Sequence, residues 1–181
     1  MLHQRVFYFS MHQKNINQLI AKGRKKDEVL ADLDFPHDQD LLFSHALSGE
    51  TTAWRALWYW YHLLDANHAQ LPKIYHQKLL DALTQSNSDG HQRELIKLLS
   101  RASLSEDAEG QFFDCCLAFW ENPKHDPSLR FVALKSLEPI LKKYPETIEE
   151  LEGFMESRYL ESLSPGIRNA LVKWWKSLKK H

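Results

Sequence analysis

The chain has 181 residues, with 23 Lys and Arg against 24 Asp and Glu, and 43% of its residues are hydrophobic. That length and apolar fraction suit one domain with a continuous core, and a net charge of −1 excludes the strongly basic footprint of a dedicated nucleic-acid binder. Only two cysteines occur, so no disulfide framework is built and a reducing cytoplasm is the expected setting.

Residues 1–10 hold the short apolar run Val6 to Phe9, which is below the length of a signal peptide's hydrophobic region. No apolar stretch is long enough to span a bilayer, so no membrane contact is expected. Ile16, Leu19 and Ile20, then Val29, Leu30 and Leu33, recur at helical spacing and predict short N-terminal capping helices. Between them, Lys22 to Lys26 form a basic connection around Gly23, read as solvated or as an anion contact. Residues 1–37 are accordingly a tail with capping helices, and residues 38–181 a helical array, within a single domain overall.

The array shows itself as a repeat. Arg55, Arg93, Arg130 and Arg168 stand 38, 37 and 38 residues apart, a period that marks stacked supersecondary units. Four positions before each arginine stand Thr51, Asp89, Asp126 and Ser164, side chains that accept from the free amides of a first helical turn and are therefore expected N-caps. Pro127 and Pro165 follow two of them, where a missing N–H costs nothing. Upstream, the pairs Leu41-Leu42, Leu79-Leu80, Cys116-Leu117 and Phe154-Met155 mark the buried side of a preceding helix. Each unit is then helix A, a turn and helix B, and neither helix buries its apolar stripe without its neighbours.

In chain order, helix A of repeat one is predicted near 38–47 and its helix B near 52–65. That B helix is the most aromatic stretch, with Trp54, Trp58, Tyr59, Trp60 and Tyr61. A stripe of Leu57, Trp58, Tyr61 and Leu64 suffices for packing; Tyr59 and Trp60 lie outside it, exposed unless an end repeat buries two faces. Repeat two runs through 72–85, a turn-forming loop at 86–90, and 91–102. Repeat three is capped by Ser105, breaks at Pro123, and carries Pro139 inside its B helix, where a kink is expected. The last pair opens on Thr147 and Glu150 at capping-box spacing and ends in Trp174, Trp175, Lys176, Lys179 and Lys180.

A cation in a first helical turn opposes the macrodipole, so four such arginines imply partners. Either the planar fork holds neighbouring turns in register, or the four form a row of anion-binding groups.

The A-helix, Asp-containing turn and Arg-bearing B helix at this period resemble HEAT repeats over residues 38–180. The segment from Arg130 through Lys143-Tyr144-Pro145-Glu146 and Glu150-Leu151 to Arg168 is also similar to small bacterial HEAT-like proteins of unknown function, some labelled adenylosuccinate lyase; the Met-Pro-Lys-Asn loop of that lyase superfamily is absent. The resemblance implies an all-α fold, a right-handed α-solenoid of about four HEAT-like helix pairs, and a scaffold role. A fainter resemblance, through Phe112-Phe113-Asp114, is to HEAT-like alkylpurine DNA glycosylases. It implies the alternative function of nucleic-acid binding or DNA repair, with Asp114 as the matching acid.

No catalytic motif emerges. Ten histidines are present, but His62, Asp65 and His68, and likewise His37, Asp38 and Asp40, do not match a zinc spacing. No Gly-rich phosphate loop or nucleophile elbow occurs. Cys115 and Cys116 point about 100° apart on a helix and read as small buried apolar groups or as a reactive thiol. No catalytic residue, cofactor or metal is assigned, and the expected function is a non-catalytic module binding a protein partner. Counting from each arginine at 100° per residue puts core positions two, three, six and nine residues on. The opposite side carries Tyr59, Trp60, Lys97, Arg101, Lys135, Lys173 and Lys176, a basic face with aromatic residues at one end, suited to an acidic partner.

Overall fold

The computed structural model describes residues 18, 20, 23 and 25–179, and every regular element among them is helical. Gln18 and Ile20 are helical; the rest of the first capping helix and the tail at 1–10 lie outside the described residues. The chain divides after Leu71 into two compact units, between repeats one and two. The division drawn from sequence at 37/38 does not coincide with it.

In the first unit, α1 (Lys26–Asp32) and α2 (Gln39–Ala46) both pack on α3 (Ala53–Ala66). The aromatic α3 buries Ala53, Ala56, Leu57, Trp60, Leu63 and Leu64, an i, i+3, i+4, i+7 stripe, and Tyr59 beside it. Each large apolar side chain so enclosed contributes about 1.5–3 kcal/mol. The predicted stripe is thus rotated, for Trp58 and Tyr61 are only half-buried. Thr51 does not cap α3. The flanking residue is Thr52, which makes no cap bond, and His45 Nε2 lies 3.0 Å from its hydroxyl. At the far end His68 has φ 49°, and the bonds Ala69 N–H to Leu64 O (2.9 Å) and His68 N–H to Asp65 O (3.2 Å) close the helix in a Schellman turn.

The second unit begins with a 3₁₀ turn, Lys73–Tyr75, leading into α4 (His76–Gln85) and α5 (Asp89–Leu99). Repeat three follows as α6 (Glu106–Glu121), α7 (Pro127–Ser136) and α8 (Glu138–Lys143). The chain then runs through α9 (Glu146–Glu150), a 3₁₀ turn Glu152–Met155, α10 (Ser157–Leu160) and α11 (Pro165–Leu178). A helices meet A helices, α4 on α6; B helices meet B helices, α5 on α7 and α7 on α11. The hairpin partners α4–α5 and α6–α7 close the core between these layers. The anticipated A-helix pairs fill it as far as Leu79, Leu80 and Cys116, while Leu117, Phe154 and Met155 are only half-buried.

Capping follows the sequence in part. Ser105 accepts from Ala108 N–H and Ser164 from Ile167 N–H, both at 3.4 Å. Asp126 flanks α7 without a side-chain cap bond, and Asp89 lies inside α5. Pro139 takes the first turn of α8, so repeat three's B helix breaks at Leu137 because proline has no N–H to continue the ladder. The helix A expected from Thr147 is instead three short pieces, and Pro145 precedes α9 with no capping box. From 146 to 162 the one fully buried apolar residue is Leu151, and so short an apolar face cannot hold a continuous helix against the core.

Candidate partner-binding surface

The face assigned from helical angles divides into residues that reach solvent and residues that do not. Tyr59 and Trp60 are 2% and 0% exposed, which corrects their assignment to a partner-facing surface. Trp60 Nε1–H donates to Gln39 Oε1 at 3.2 Å, and its ring meets Phe43 edge-on. Here α3 is enclosed on two sides, so one stripe does not describe its burial. Lys97 and Arg101 on and just after α5 are half-buried. Lys97 Nζ donates to both oxygens of the buried Glu94, at 3.0 and 3.2 Å, and so is not the solvated cation that the sequence suggested. Lys135 on α7 and Lys173 and Lys176 on α11 are exposed.

The four repeat arginines differ in their partners. Arg130 is 1% exposed, enclosed between the end of α6 and the segment around α10. Its Nε donates to Trp120 O at 3.0 Å and its Nη2 to Tyr159 O at 2.8 Å, Nη1 donates to Ser162 Oγ, and the guanidinium lies 4.8 Å from the centre of the Trp120 ring. One side chain therefore joins the end of α6 to the segment around α10. Arg55 Nη1 donates to Ile20 O at 3.1 Å. Arg168 Nη2 donates to Glu161 O and Leu163 O at 3.3 and 3.4 Å, in the turn before its own helix. Arg93 is bound instead to side chains, Glu94 Oε1 at 3.0 Å and Ser128 Oγ at 3.3 Å. A row of free anion-binding arginines is not what this geometry provides.

Two further ties between repeats are absent from the sequence reading. Asp89 Oδ2 accepts from Asp126 N–H at 2.6 Å, and its Oδ1 lies 2.8 Å from His125 Nδ1. The residue expected to cap its own helix thus serves the start of the next B helix. Glu138 Oε2 accepts from Trp174 Nε1–H at 2.8 Å while Lys142 holds its other oxygen at 2.7 Å. The signal was present in the numbering, since 89 and 126, and 138 and 174, are close to one repeat apart.

Partial burial of Asp89 works to raise its pKa, but the Asp126 N–H and His125 outweigh it and hold the carboxyl below its usual value. A group depressed in the folded state stabilises above its unfolded pKa, about 3.9 for Asp, and loses that contribution as pH falls through the folded value. We expect Asp89→Asn to be less stable than the parent at pH 6, with the difference shrinking below about pH 4, as read by urea midpoints across pH. A difference independent of pH would show that the charge is not what counts.

A model of the HEAT repeat domain matches residues 10–178, reaching across the 37/38 division and over both units. The chain belongs to the HEAT-repeat family. No curated protein and no solved structure matches it.

Within this HEAT-repeat frame the remaining chemical groups take ordinary places. Cys116 is fully buried and Cys115 half-buried, both as free thiols, and burial pushes both pKa values up, away from the reactive thiolate. Phe112 is in the core while Asp114 is exposed on α6, so these two neighbours do not share one surface. His68 lies in the turn past the end of α3, with φ 49°. Among the described residues no three His, Cys, Asp or Glu side chains gather as a metal site, and no helix is long and apolar enough to cross a membrane.

Proposed function

We propose that this HEAT-repeat chain is a non-catalytic interaction module that binds an acidic protein partner in the cytoplasm. The carrying observation is the exposure of Lys135, Lys173 and Lys176 on α7 and α11, two B helices packed on each other. The exposed carboxylates of this unit concentrate elsewhere, with Glu146, Glu149, Glu150, Glu152, Glu156 and Glu161 in the 146–161 segment. Segregated charge on a near-neutral chain steers oppositely charged partners, and the two free thiols suit a reducing compartment.

Replacing Lys135, Lys173 and Lys176 together by Glu is expected to reduce capture of partner protein from lysate by at least roughly tenfold, since like charges across an interface cost several kcal/mol. The thermal midpoint should fall only slightly: all three side chains are exposed, and the interaction of Lys135 with Glu138 is the loss to expect. Lys97 is left intact in this variant, for a carboxylate there would face buried Glu94. Undiminished capture by the folded triple variant would remove these lysines from the binding surface. Capture that disappears on nuclease treatment would favour the nucleic-acid reading.

A further inference from the structure

Repeat two departs from the other three at the start of its B helix. Arg55, Arg130 and Arg168 donate to main-chain carbonyls, whereas Arg93 donates to a neighbouring carboxylate and a hydroxyl. One residue after the arginine the other repeats carry Ala56, Phe131 and Asn169, and four residues after it Tyr59, Leu134 and Val172. Repeat two places Glu94 and Lys97 at these positions. Glu94 is 2% exposed, while the side chains of Arg93 and Lys97 that hold it are 29% and 34% exposed.

Burying a carboxylate carries a desolvation cost that its ion pairs offset only in part, so such a cluster is weak support for stability. The uncharged residues at the matching positions show that the repeat does not require it. What the cluster does is fix two cationic heads one helical turn apart, both bound to the same oxygen, Glu94 Oε1. A guanidinium has five N–H donors and an ammonium three, more than Glu94 and Ser128 take up, and both heads reach solvent. Ser128 and Lys135 are seven residues apart and share one side of α7, so the bond from Arg93 to Ser128 places the cluster beside the strip that carries Lys135.

We infer that Arg93 and Lys97, positioned by Glu94, bind a single carboxylate presented by an acidic peptide segment. This inference rests on the reading of the B-helix strip as the partner surface and names one group that the surface receives. The trio carries a net charge of +1, which one carboxylate neutralises. A phosphate dianion would leave excess negative charge beside buried Glu94, an arrangement that a low-dielectric site penalises.

The test is a titration of the full chain with hexaglutamate, followed by the Arg side-chain Nε–H resonances and by calorimetry, with inorganic phosphate and a short single-stranded oligonucleotide as comparison probes. Hexaglutamate should shift the Arg93 signal saturably, and Arg93→Gln or Lys97→Gln should weaken binding by about tenfold, the loss expected for a charge-assisted hydrogen bond. Glu94→Gln separates positioning from bulk charge: it raises the net charge, so simple attraction predicts tighter binding, whereas loss of the fixed geometry predicts weaker binding. Dichroism spectra of each variant confirm the fold, and the two Gln substitutions on separate cations keep the result readable if one of them unfolds. Tighter binding by Glu94→Gln, an unmoved Arg93 signal, or stronger binding of phosphate or oligonucleotide would each overturn the inference. If hexaglutamate binds undiminished to both cation variants, the inference falls while Lys135, Lys173 and Lys176 retain the partner surface. If hexaglutamate does not bind at all, the inference falls and lysate capture alone decides the broader reading.

Discussion

Arg130→Ala should lower stability by about 2–6 kcal/mol, from two carbonyls left without their donor in an enclosed site at about 1–3 kcal/mol each. The guanidinium is enclosed, and its three donor positions reach Trp120 O, Tyr159 O and Ser162 Oγ. Truncation leaves two carbonyls without this donor and opens a space under the Trp120 ring. Each unsatisfied buried polar group costs about 1–3 kcal/mol, and a loss of this size is a large fraction of the 5–15 kcal/mol typical of a folded domain. Arg130→Lys should recover little, because an ammonium on a flexible stem cannot address carbonyls on two segments with a planar fork. Arg130→Met fills the volume without any donor and divides packing from hydrogen bonding. A urea midpoint for Arg130→Met equal to the parent's would show that these bonds contribute nothing to stability, and an unchanged Arg130→Ala would place the arginine outside the core altogether.

The period of the arginines made the helical repeat legible because it depends on sequence alone. An interruption at Pro139 was legible as a kink, since proline has no N–H to continue the ladder, and the structure goes further and starts a new helix after Leu137. Side-chain caps were less legible. Asp89, Asp126 and Ser164 occupy the same repeat position, yet Ser164 alone among them caps its own helix, while Asp89 turns to the next repeat, where Asp126 N–H and His125 await it. An acceptor near two free amides is claimed by whichever packing brings closer, and that choice is tertiary.

The assigned surface shows the same boundary. Lys135, Lys173 and Lys176 reach solvent as helical angles implied, since each lies on a helix side turned away from its packing neighbours. Lys97 has a similar angular position, but Glu94 three residues before it is buried and draws the ammonium down. A hydropathy pattern counts Glu94 as a surface residue and so misses the group that decides where Lys97 goes. At Arg130 the first-turn cation called for a partner but could not name it, because the arginine lies beneath the segment around α10, whose irregular path from 146 to 162 has no periodic signal to predict it.

Trp60→Ala is expected to cost about 3–5 kcal/mol, the range for emptying a large aromatic site in a core. Its side chain has no solvent exposure, and the indole N–H is bound to Gln39, itself buried. Truncation therefore adds an unpaired carboxamide oxygen to the cavity. Trp60→Phe keeps much of the ring but not the donor, and should cost about 1–3 kcal/mol from the unsatisfied acceptor alone. A second substitution, Gln39→Met, removes that acceptor, so in the Trp60→Phe background it should return part of the loss, and the cycle of four proteins isolates the hydrogen bond. The contrast with the surface reading is complete, for an exposed Trp60 would give a variant with an unaltered urea midpoint and weakened partner capture. The enclosed position predicts the reverse: a lower midpoint for Trp60→Ala, and capture by the Trp60→Phe protein unchanged at temperatures where it remains folded.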